Sequence, residues 1–297
     1  MNKTKTKTLS PWLWVPTLYF AEGIPYFLVN NISVMMFAKM GVPNGQMALF
    51  TSLLYLPWTV KPLWSPFVDI IKTKRWWIIT MQALMTAAMV LLTIFLPKPD
   101  AALIASGETP MSMFTFTLIL FIITAFASAT HDIAADGFYM LALTQKNQAA
   151  FVGIRSTFYR LSSIFGQGVL VAIAGLIENK TGNIPTSWRL TLMISAVLFA
   201  AVTIYHTFFI PKPIQDAPRM TSTGEPARGA REILKEFGQA FATFFKKAGV
   251  VTAMLFLLLY RFPEALMLKM VSPFFLDGAD AGGMGLTTKE IGIVYGT

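Results

Sequence analysis

Long apolar stretches recur along almost the whole chain, and each is close to the roughly 20 residues that a helix needs to cross a bilayer. The first stretch is too long for a signal peptide and contains Glu22, Asn30 and Asn31, so we interpret it as a retained first helix. Basic residues fall mainly in alternate loops, which by the positive-inside rule places the N-terminus in the cytoplasm. We predict spans near residues 12–38, 46–70, 76–96, 112–142, 150–177, 189–210 and 248–270, with an eighth beginning near Thr288.

A long polar connection separates the first six spans from those that follow. Prolines open it, and apolar residues at helical spacing among lysines and arginines then predict an amphipathic helix on the inner membrane surface. Residues 41–51 resemble residues 285–295, and such internal repetition is typical of two-bundle transporters. The eighth span is too short to cross when it reaches Thr297, so we expect the sequence to be a fragment that lacks about four further spans. The predicted domains are a six-helix transmembrane bundle (1–211), a cytoplasmic linker with an amphipathic helix (212–247) and the incomplete start of a C-terminal bundle (248–297).

The composition is that of an all-α integral membrane protein. The chain of 297 residues is 55% hydrophobic and 13% charged, with a mean hydropathy of +0.58. The formal charge of +9 does not indicate nucleic-acid binding, because the basic residues form short clusters between apolar spans. The sequence contains no cysteine, no phosphate-binding loop and no paired-histidine zinc motif, so we expect no metal, no cofactor and no enzymatic activity. The expected partners are the lipid bilayer, a small sugar-peptide or acidic sugar and protons, with the full-length protein a monomer.

Two aspartates at the end of the fourth apolar stretch are the strongest functional signal. Asp132 and Asp136 are four residues apart, so on a helix they share one face. Carboxylates inside a membrane helix are costly, and they usually line a transport route or pair with a cation. We expect at least one to take up a proton, favouring Asp136 for the proton and Asp132 for a salt bridge that breaks between states. Structural pairing with Arg155 or Arg160 is the alternative.

Three more polar residues are candidates for proton coupling or solute binding. Glu22 lies near the middle of the first span, where it either carries a proton or bonds to backbone groups freed by Pro25. His131 titrates near physiological pH, or it serves as a hydrogen-bonding helix residue. Lys61 either snorkels to the headgroups or pairs with an acid of the first or fourth span, and a cation facing a cavity would suit an acidic solute.

The remaining candidates for solute binding lie on the first, fifth and seventh spans. Arg160 can hold a carboxylate through two parallel bonds, which makes it our preferred substrate or gate residue. Asn30 and Asn31 bind sugar hydroxyls or a neighbouring helix. Arg261 and Glu264 are three residues apart, so they either bind the solute or neutralise one another.

Several motifs together resemble one transporter family. They are residues 20–26 (FAEGIPY), 56–69 (LPWTVKPLWSPFVD), 129–137 (ATHDIAADG) and 159–161 (YRL). This set is similar to the AmpG-type muropeptide permeases, which belong to the major facilitator superfamily beside the acetyl-coenzyme A transporters. The resemblance implies a multi-pass inner-membrane symporter that brings anhydro-muropeptides from cell-wall turnover into the cytoplasm with protons. His131 stands where the family commonly has glutamine, so another sugar or an acetyl-coenzyme A-like solute stays open, with a membrane acyltransferase or a sensor as further alternatives.

Four charged residues lie in the loop between the second and third spans. They are Asp69, Lys72, Lys74 and Arg75. The resemblance implies a cytoplasmic gate here, because major facilitator proteins keep a short acidic-basic loop at this place that latches the two bundles together. A solvated loop that obeys the positive-inside rule is the alternative.

Overall fold

The structure, a computed structural model, describes residues 9–216, 238–239 and 241–295. These residues form helices joined by short connections, and no strand occurs among them. Residues 217–237 and 240 of the predicted 212–247 linker, including the start of its predicted amphipathic helix, lie outside the described residues.

The first span is one uninterrupted helical run with a local change of winding. Helix α1 (Val15–Phe27) passes into a π-helical segment (Leu28–Ile32) and then into α2 (Ser33–Lys39). Pro25 lies inside α1, where its ring removes a hydrogen-bond donor. π-Helical turns of this kind are rare and frequently occur at functional sites.

The second span, predicted as one stretch over 46–70, is broken into short pieces. They are α3 (Asn44–Leu53), α4 (Leu56–Val60), a 3₁₀ turn (Lys61–Leu63) and α5 (Ser65–Ile70). Prolines at 57, 62 and 66 explain the breaks, since each lacks a backbone N–H and is tolerated only in the first turn of a helix. Lys61 therefore lies at a break in the span.

The remaining helices are mostly long. They are α6 (Lys74–Phe95), α7 (Ala101–Ser106), α8 (Thr115–Ala142), α9 (Gln145–Ser163), α10 (Val171–Thr181), α11 (Ile184–Phe209), α12 (Val250–Leu276) and α13 (Thr288–Val294). A second π-helical segment (Ile164–Leu170) joins α9 to α10. Within the described residues, five stretches are long and apolar enough to cross a membrane: Lys74–Phe95, Met111–Ala142, Gln145–Thr181, Ile184–Phe209 and Val250–Leu276. The protein is thus a multi-pass membrane protein.

Helix α1 lies at the centre of the helical packing. It contacts α8, α9 and α11, while α6 packs against both α8 and α11. Two apolar cores meet along α1, one containing Leu18 and Tyr19 and the other containing Ala21 and Ile24. Glu22 therefore lies in α1 next to the boundary between the two cores.

Small residues bring α1 and the fifth span into close contact. A Cβ atom at Gly23 would lie 1.8 Å from Ser162 Oγ, and one at Gly166 would lie 2.9 Å from Phe27 Cβ. The π-helical segments Leu28–Ile32 and Ile164–Leu170 also contact each other. Glycine at these two positions therefore allows the first and fifth spans to pack closely, as is usual between membrane helices.

Helices α12 and α13 pack against helices that precede them in the chain. Helix α13 lies against α10, where a Cβ atom at Gly175 would meet the backbone of α13 within 2.3 Å. Thr288 Oγ1 donates to Glu178 Oε2 at 2.9 Å, and Glu178 also forms an ion pair with Lys39 at 2.7 Å. Helix α12 contacts α2 and α3, and most of its apolar side chains are exposed.

The packing of α1 against α9 generates a stability prediction. We expect Gly23→Ala to lower the free energy of unfolding by about 1–3 kcal/mol, because the added methyl group overlaps Ser162. The matched control is Gly153→Ala, a helical glycine in α9 whose Cβ atom would meet nothing within 4 Å. Thermal unfolding in detergent measures both variants. Equal melting temperatures for the two would contradict the proposed close contact.

Candidate functional site

A cavity of about 280 Å³ opens between four spans. It is lined by Glu22 and Tyr26 of α1, Tyr55, Trp58 and Lys61 of the second span, Asp132 of α8 and Tyr159 of α9. Membrane proteins place ionisable residues in such positions for function, because hydrocarbon offers no compensation for their charge. Charged residues from three different spans therefore converge on one volume.

Lys61 and Asp132 form an ion pair in the wall of this cavity. The lysine side chain is 35% exposed, whereas that of Asp132 is 16% exposed. Of the two interpretations for Lys61, the structure thus shows pairing with an acid of the fourth span. The neighbouring Trp64 Nε1 donates to Thr130 Oγ1 at 3.2 Å. This hydrogen bond is a second link between the broken second span and α8.

Glu22 lies beside this ion pair with part of its carboxyl group unpartnered. The residue is 9% exposed, and its Oε2 atom is buried without a hydrogen-bond partner among the described residues. Its carboxyl group is also within hydrogen-bonding reach of that of Asp132. Two carboxyl groups so close together cannot both stay ionised at low cost, so this geometry can hold a shared proton.

Four aromatic rings also line the cavity. The ring centroid of Tyr26 lies 5.2 Å from that of Trp58, 6.4 Å from that of Tyr55 and 6.5 Å from that of Tyr159. Rings that combine an apolar face with a polar edge are typical of ligand sites. None of these four residues was predicted from the sequence, although three of them fall inside the motifs that carry the family resemblance.

Asp136 has different partners from Asp132. Its Oδ1 atom accepts hydrogen bonds from Arg155 Nη2 at 2.6 Å and from the Tyr19 hydroxyl at 3.0 Å. The guanidinium of Arg155 also lies 4.4 Å from the ring centroid of Tyr19 and 5.1 Å from that of Tyr139. The two aspartates share a helix face but meet separate cations, and Asp136 does not line the cavity.

His131 belongs to a buried polar network on another side of α8. The amide Nε2 of Gln82 lies 3.0 Å from His131 Nε2 and 2.9 Å from His206 Nδ1, and His206 Nε2 lies 3.0 Å from Thr17 Oγ1. Both histidines are fully buried, and His131 Nδ1 has no partner among the described residues. This network links the first, third, fourth and sixth spans. Sequence reasoning missed Gln82 and His206, for which no motif gave a signal.

The other predicted solute-binding residues do not line the cavity. Arg160 lies exposed on α9. Asn30 Nδ2 donates to the carbonyl of Tyr26 at 3.1 Å, and Asn31 Nδ2 donates to Gln167 Oε1 at 3.2 Å between the two π-helical segments. The remaining pair, Arg261 and Glu264, forms an exposed ion pair on α12.

The predicted gate residues gather at the start of α6. Asp69 forms an ion pair with Lys74, and Lys72 is exposed with a φ of 60°. The backbone N–H groups of Lys74 and Arg75 donate to Asp216 at 2.6 and 2.9 Å, as expected for an acid at a helix N-terminus. Asp216 follows the sixth span and was not predicted. It connects this loop to the end of α11.

Comparison with known proteins agrees with this architecture. Residues 22–271 match the BT1 family. The chain is 25% identical over 290 residues to "Putative transporter AmpG 4" of Rickettsia felis and 23% identical over 286 residues to "Anhydromuropeptide permease" of Escherichia coli K12. Each alignment covers 93% of this chain, but only 61% and 51% of the respective relative. The predicted resemblance to AmpG-type permeases is thus confirmed.

A solved structure shows the same fold. It is a crystal structure of a bacterial homologue of the human lysosomal transporter Spinster, in an inward-facing and unoccupied conformation. The TM-score is 0.65 at 17% identity, over 98% of this chain and 59% of that one. The predicted all-α major facilitator fold is confirmed. The names of these relatives are those of transporters, which is compatible with the expected lack of enzymatic activity.

The buried histidine network generates a second stability prediction. We expect Gln82→Met to lower the free energy of unfolding by about 1–3 kcal/mol, because both imidazole rings lose a partner while staying buried. Gln145→Met, at the exposed first turn of α9, is the matched control. Melting temperatures in detergent report the difference. A Gln82 variant as stable as the control would show that the network contributes nothing.

Proposed function

The chain belongs to the BT1 family, and we propose that it acts in a secondary transporter that imports anhydro-muropeptides with protons across the bacterial inner membrane. The similarity to an anhydromuropeptide permease over 93% of the chain supports this class of solute. The chain spans 51% of that relative's length, so the solute is a proposal for the whole protein. The proposed arrangement is a six-helix bundle at 1–211, a cytoplasmic linker at 212–247 and the first part of a second bundle at 248–297.

The observation that carries the proposal is the group formed by Glu22, Asp132 and Lys61. A buried carboxylate without a partner costs several kcal/mol, and protonation removes that cost. Lys61 can balance one of the two carboxylates, and a proton balances the other. The cavity therefore contains a proton site beside the space for a solute, which is what coupled transport requires.

We assign the proton to the Glu22–Asp132 pair rather than to Asp136, which the sequence favoured. Arg155 and the Tyr19 hydroxyl both donate to Asp136, and the Asp136 side chain is 47% exposed. A carboxylate with an arginine partner and access to water is stable in its charged form. In this scheme Asp136 holds α8 against α9 through Arg155 and against α1 through Tyr19.

Transport then follows from rocking of the two bundles about the cavity. We propose that Asp69, Lys72, Lys74 and Arg75, with Asp216, act at the cytoplasmic end as a latch. The ion pair of Asp69 with Lys74 and the bonds to Asp216 would hold α5, α6 and the end of α11 together in one of the states. The N-terminus lies on the same cytoplasmic side.

Uptake by membrane vesicles tests the proposal. We expect an imposed inward proton gradient to drive accumulation of labelled anhydro-muropeptide in vesicles that contain the protein. Glu22→Gln removes a carboxyl group with little change in shape, so gradient-driven accumulation should fall at least about tenfold. Glu108→Gln, at an exposed loop position, is the control and should transport normally.

Two results would contradict parts of this proposal. Absence of uptake by correctly inserted wild-type protein would exclude the muropeptide and direct the assay to amino sugars and acetyl-coenzyme A. Unchanged gradient dependence in Glu22→Gln, together with its loss in Asp136→Asn, would move the proton site to Asp136.

A further inference from the structure

The positive charge in the cavity belongs to Lys61. Among the seven residues that line the cavity, the other two charged ones are Glu22 and Asp132. The lysine side chain is 35% exposed, against 16% for Asp132, and the Glu22 residue is 9% exposed. Lys61 is therefore the most accessible of the three charged residues that line the cavity.

The backbone around Lys61 allows this side chain to change partners. The residue begins a 3₁₀ turn between α4 and α5, and Pro57 and Pro62 flank it. Lysine carries its charge on a flexible four-carbon stem. A movement of the ammonium group toward the cavity therefore requires no change in α8, where Asp132 is fixed.

Movement of the Lys61 ammonium group away from Asp132 would leave this aspartate without a counter-ion. The carboxyl group of Glu22 is already within hydrogen-bonding reach of Asp132, so it cannot balance a second negative charge. A buried carboxylate in that position is costly, and uptake of a proton removes the charge. Separation of Lys61 from Asp132 is consequently linked to binding of a proton by the two carboxyl groups.

Other titratable groups face this pair from the neighbouring helices. Arg155 of α9 acts on Glu22 from a distance as a positive charge, and Asp136 opposes it. The uncharged hydroxyl groups are those of Tyr19 and Tyr26 on α1, Tyr55 on the second span and Tyr159 on α9. Arg155 is bound to Asp136, so it is not free to replace Lys61.

We propose that a carboxylate of the solute replaces Asp132 as the partner of Lys61, and that the Glu22–Asp132 pair takes up a proton when this exchange occurs. The inference rests on the proposed transport function and adds the group that is recognised and the origin of coupling. Each binding event adds a negative charge and a proton, so the charge of the site is unchanged. Binding of either one then favours binding of the other.

A carboxylate fits the site better than a phosphate cluster. Lys61 is a single point charge, and the other charged lining residues are acidic. Sites for phosphate esters usually combine several cationic or N–H donors, often with arginine. The four aromatic rings beside Lys61 suit the less polar remainder of a carboxylate-bearing molecule.

Proton uptake during binding tests the exchange directly. The purified protein in detergent is mixed, in weak buffer with a pH indicator, with anhydro-muropeptide or with the same compound converted to carboxamides. We expect about one proton to be taken up per bound carboxylate compound and close to none for the carboxamide. The carboxamide should bind at least about tenfold more weakly, because it lacks the charge that Lys61 recognises.

Two variants separate the members of the pair. In Lys61→Gln, the preference for carboxylate over carboxamide should disappear. In Asp132→Asn, Lys61 is already free, so the carboxylate compound should bind with little proton uptake. Lys39→Gln is the matched control, since it breaks an ion pair with Glu178 that does not line the cavity, and it should behave as wild type.

The outcomes distinguish this inference from the transport function. Gradient-driven uptake that is equal for the carboxylate and carboxamide compounds would overturn the exchange and leave the transporter intact. Displacement of bound anhydro-muropeptide by coenzyme A but not by its own carboxylate-bearing peptide would show that the site recognises phosphate. Failure of the wild type to bind or transport any muropeptide would overturn both proposals.

Discussion

A carboxyl group inside an apolar helical bundle must be paired or neutral, and this constraint governs the polar interior of the protein. Asp132 meets Lys61, and Asp136 meets Arg155. Glu22 forms no ion pair with any described residue, and it lies against Asp132. The cavity is therefore a place where the balance of charge is incomplete without a proton or a ligand.

Interruptions of regular helix place these groups where they can act. Prolines break the second span and put Lys61 at a turn rather than on a helix face. The first and fifth spans each contain a π-helical segment, and the two segments are joined by the bond between Asn31 and Gln167. Asn31, which looks like a solute ligand in the sequence, here joins two helices, which is the commoner role of such residues in membranes.

The rest of the bundle gives this site a rigid frame. Gly23 and Gly166 allow α1 and the fifth span to approach closely, and the network through Gln82 links four spans by hydrogen bonds. Such fully buried polar networks are costly when broken, so they favour a single arrangement of helices. In the proposed mechanism, this frame would keep Asp132 in place while Lys61 changes its partner.

The sequence by itself determined the helical class, the positions of the five long apolar helices, the family resemblance and the presence of acids within apolar stretches. These follow from local hydropathy and from motifs that are contiguous in the chain. Only the tertiary structure decided which partner each buried polar side chain has, because Lys61 and Asp132 are 71 residues apart and Gln82 and His206 are 124 apart. The tertiary structure also showed that Asp132 and Asp136, which share a helix face, pair with cations from different spans. Partner choice depends on how helices pack, and hydropathy contains no information on packing at that distance.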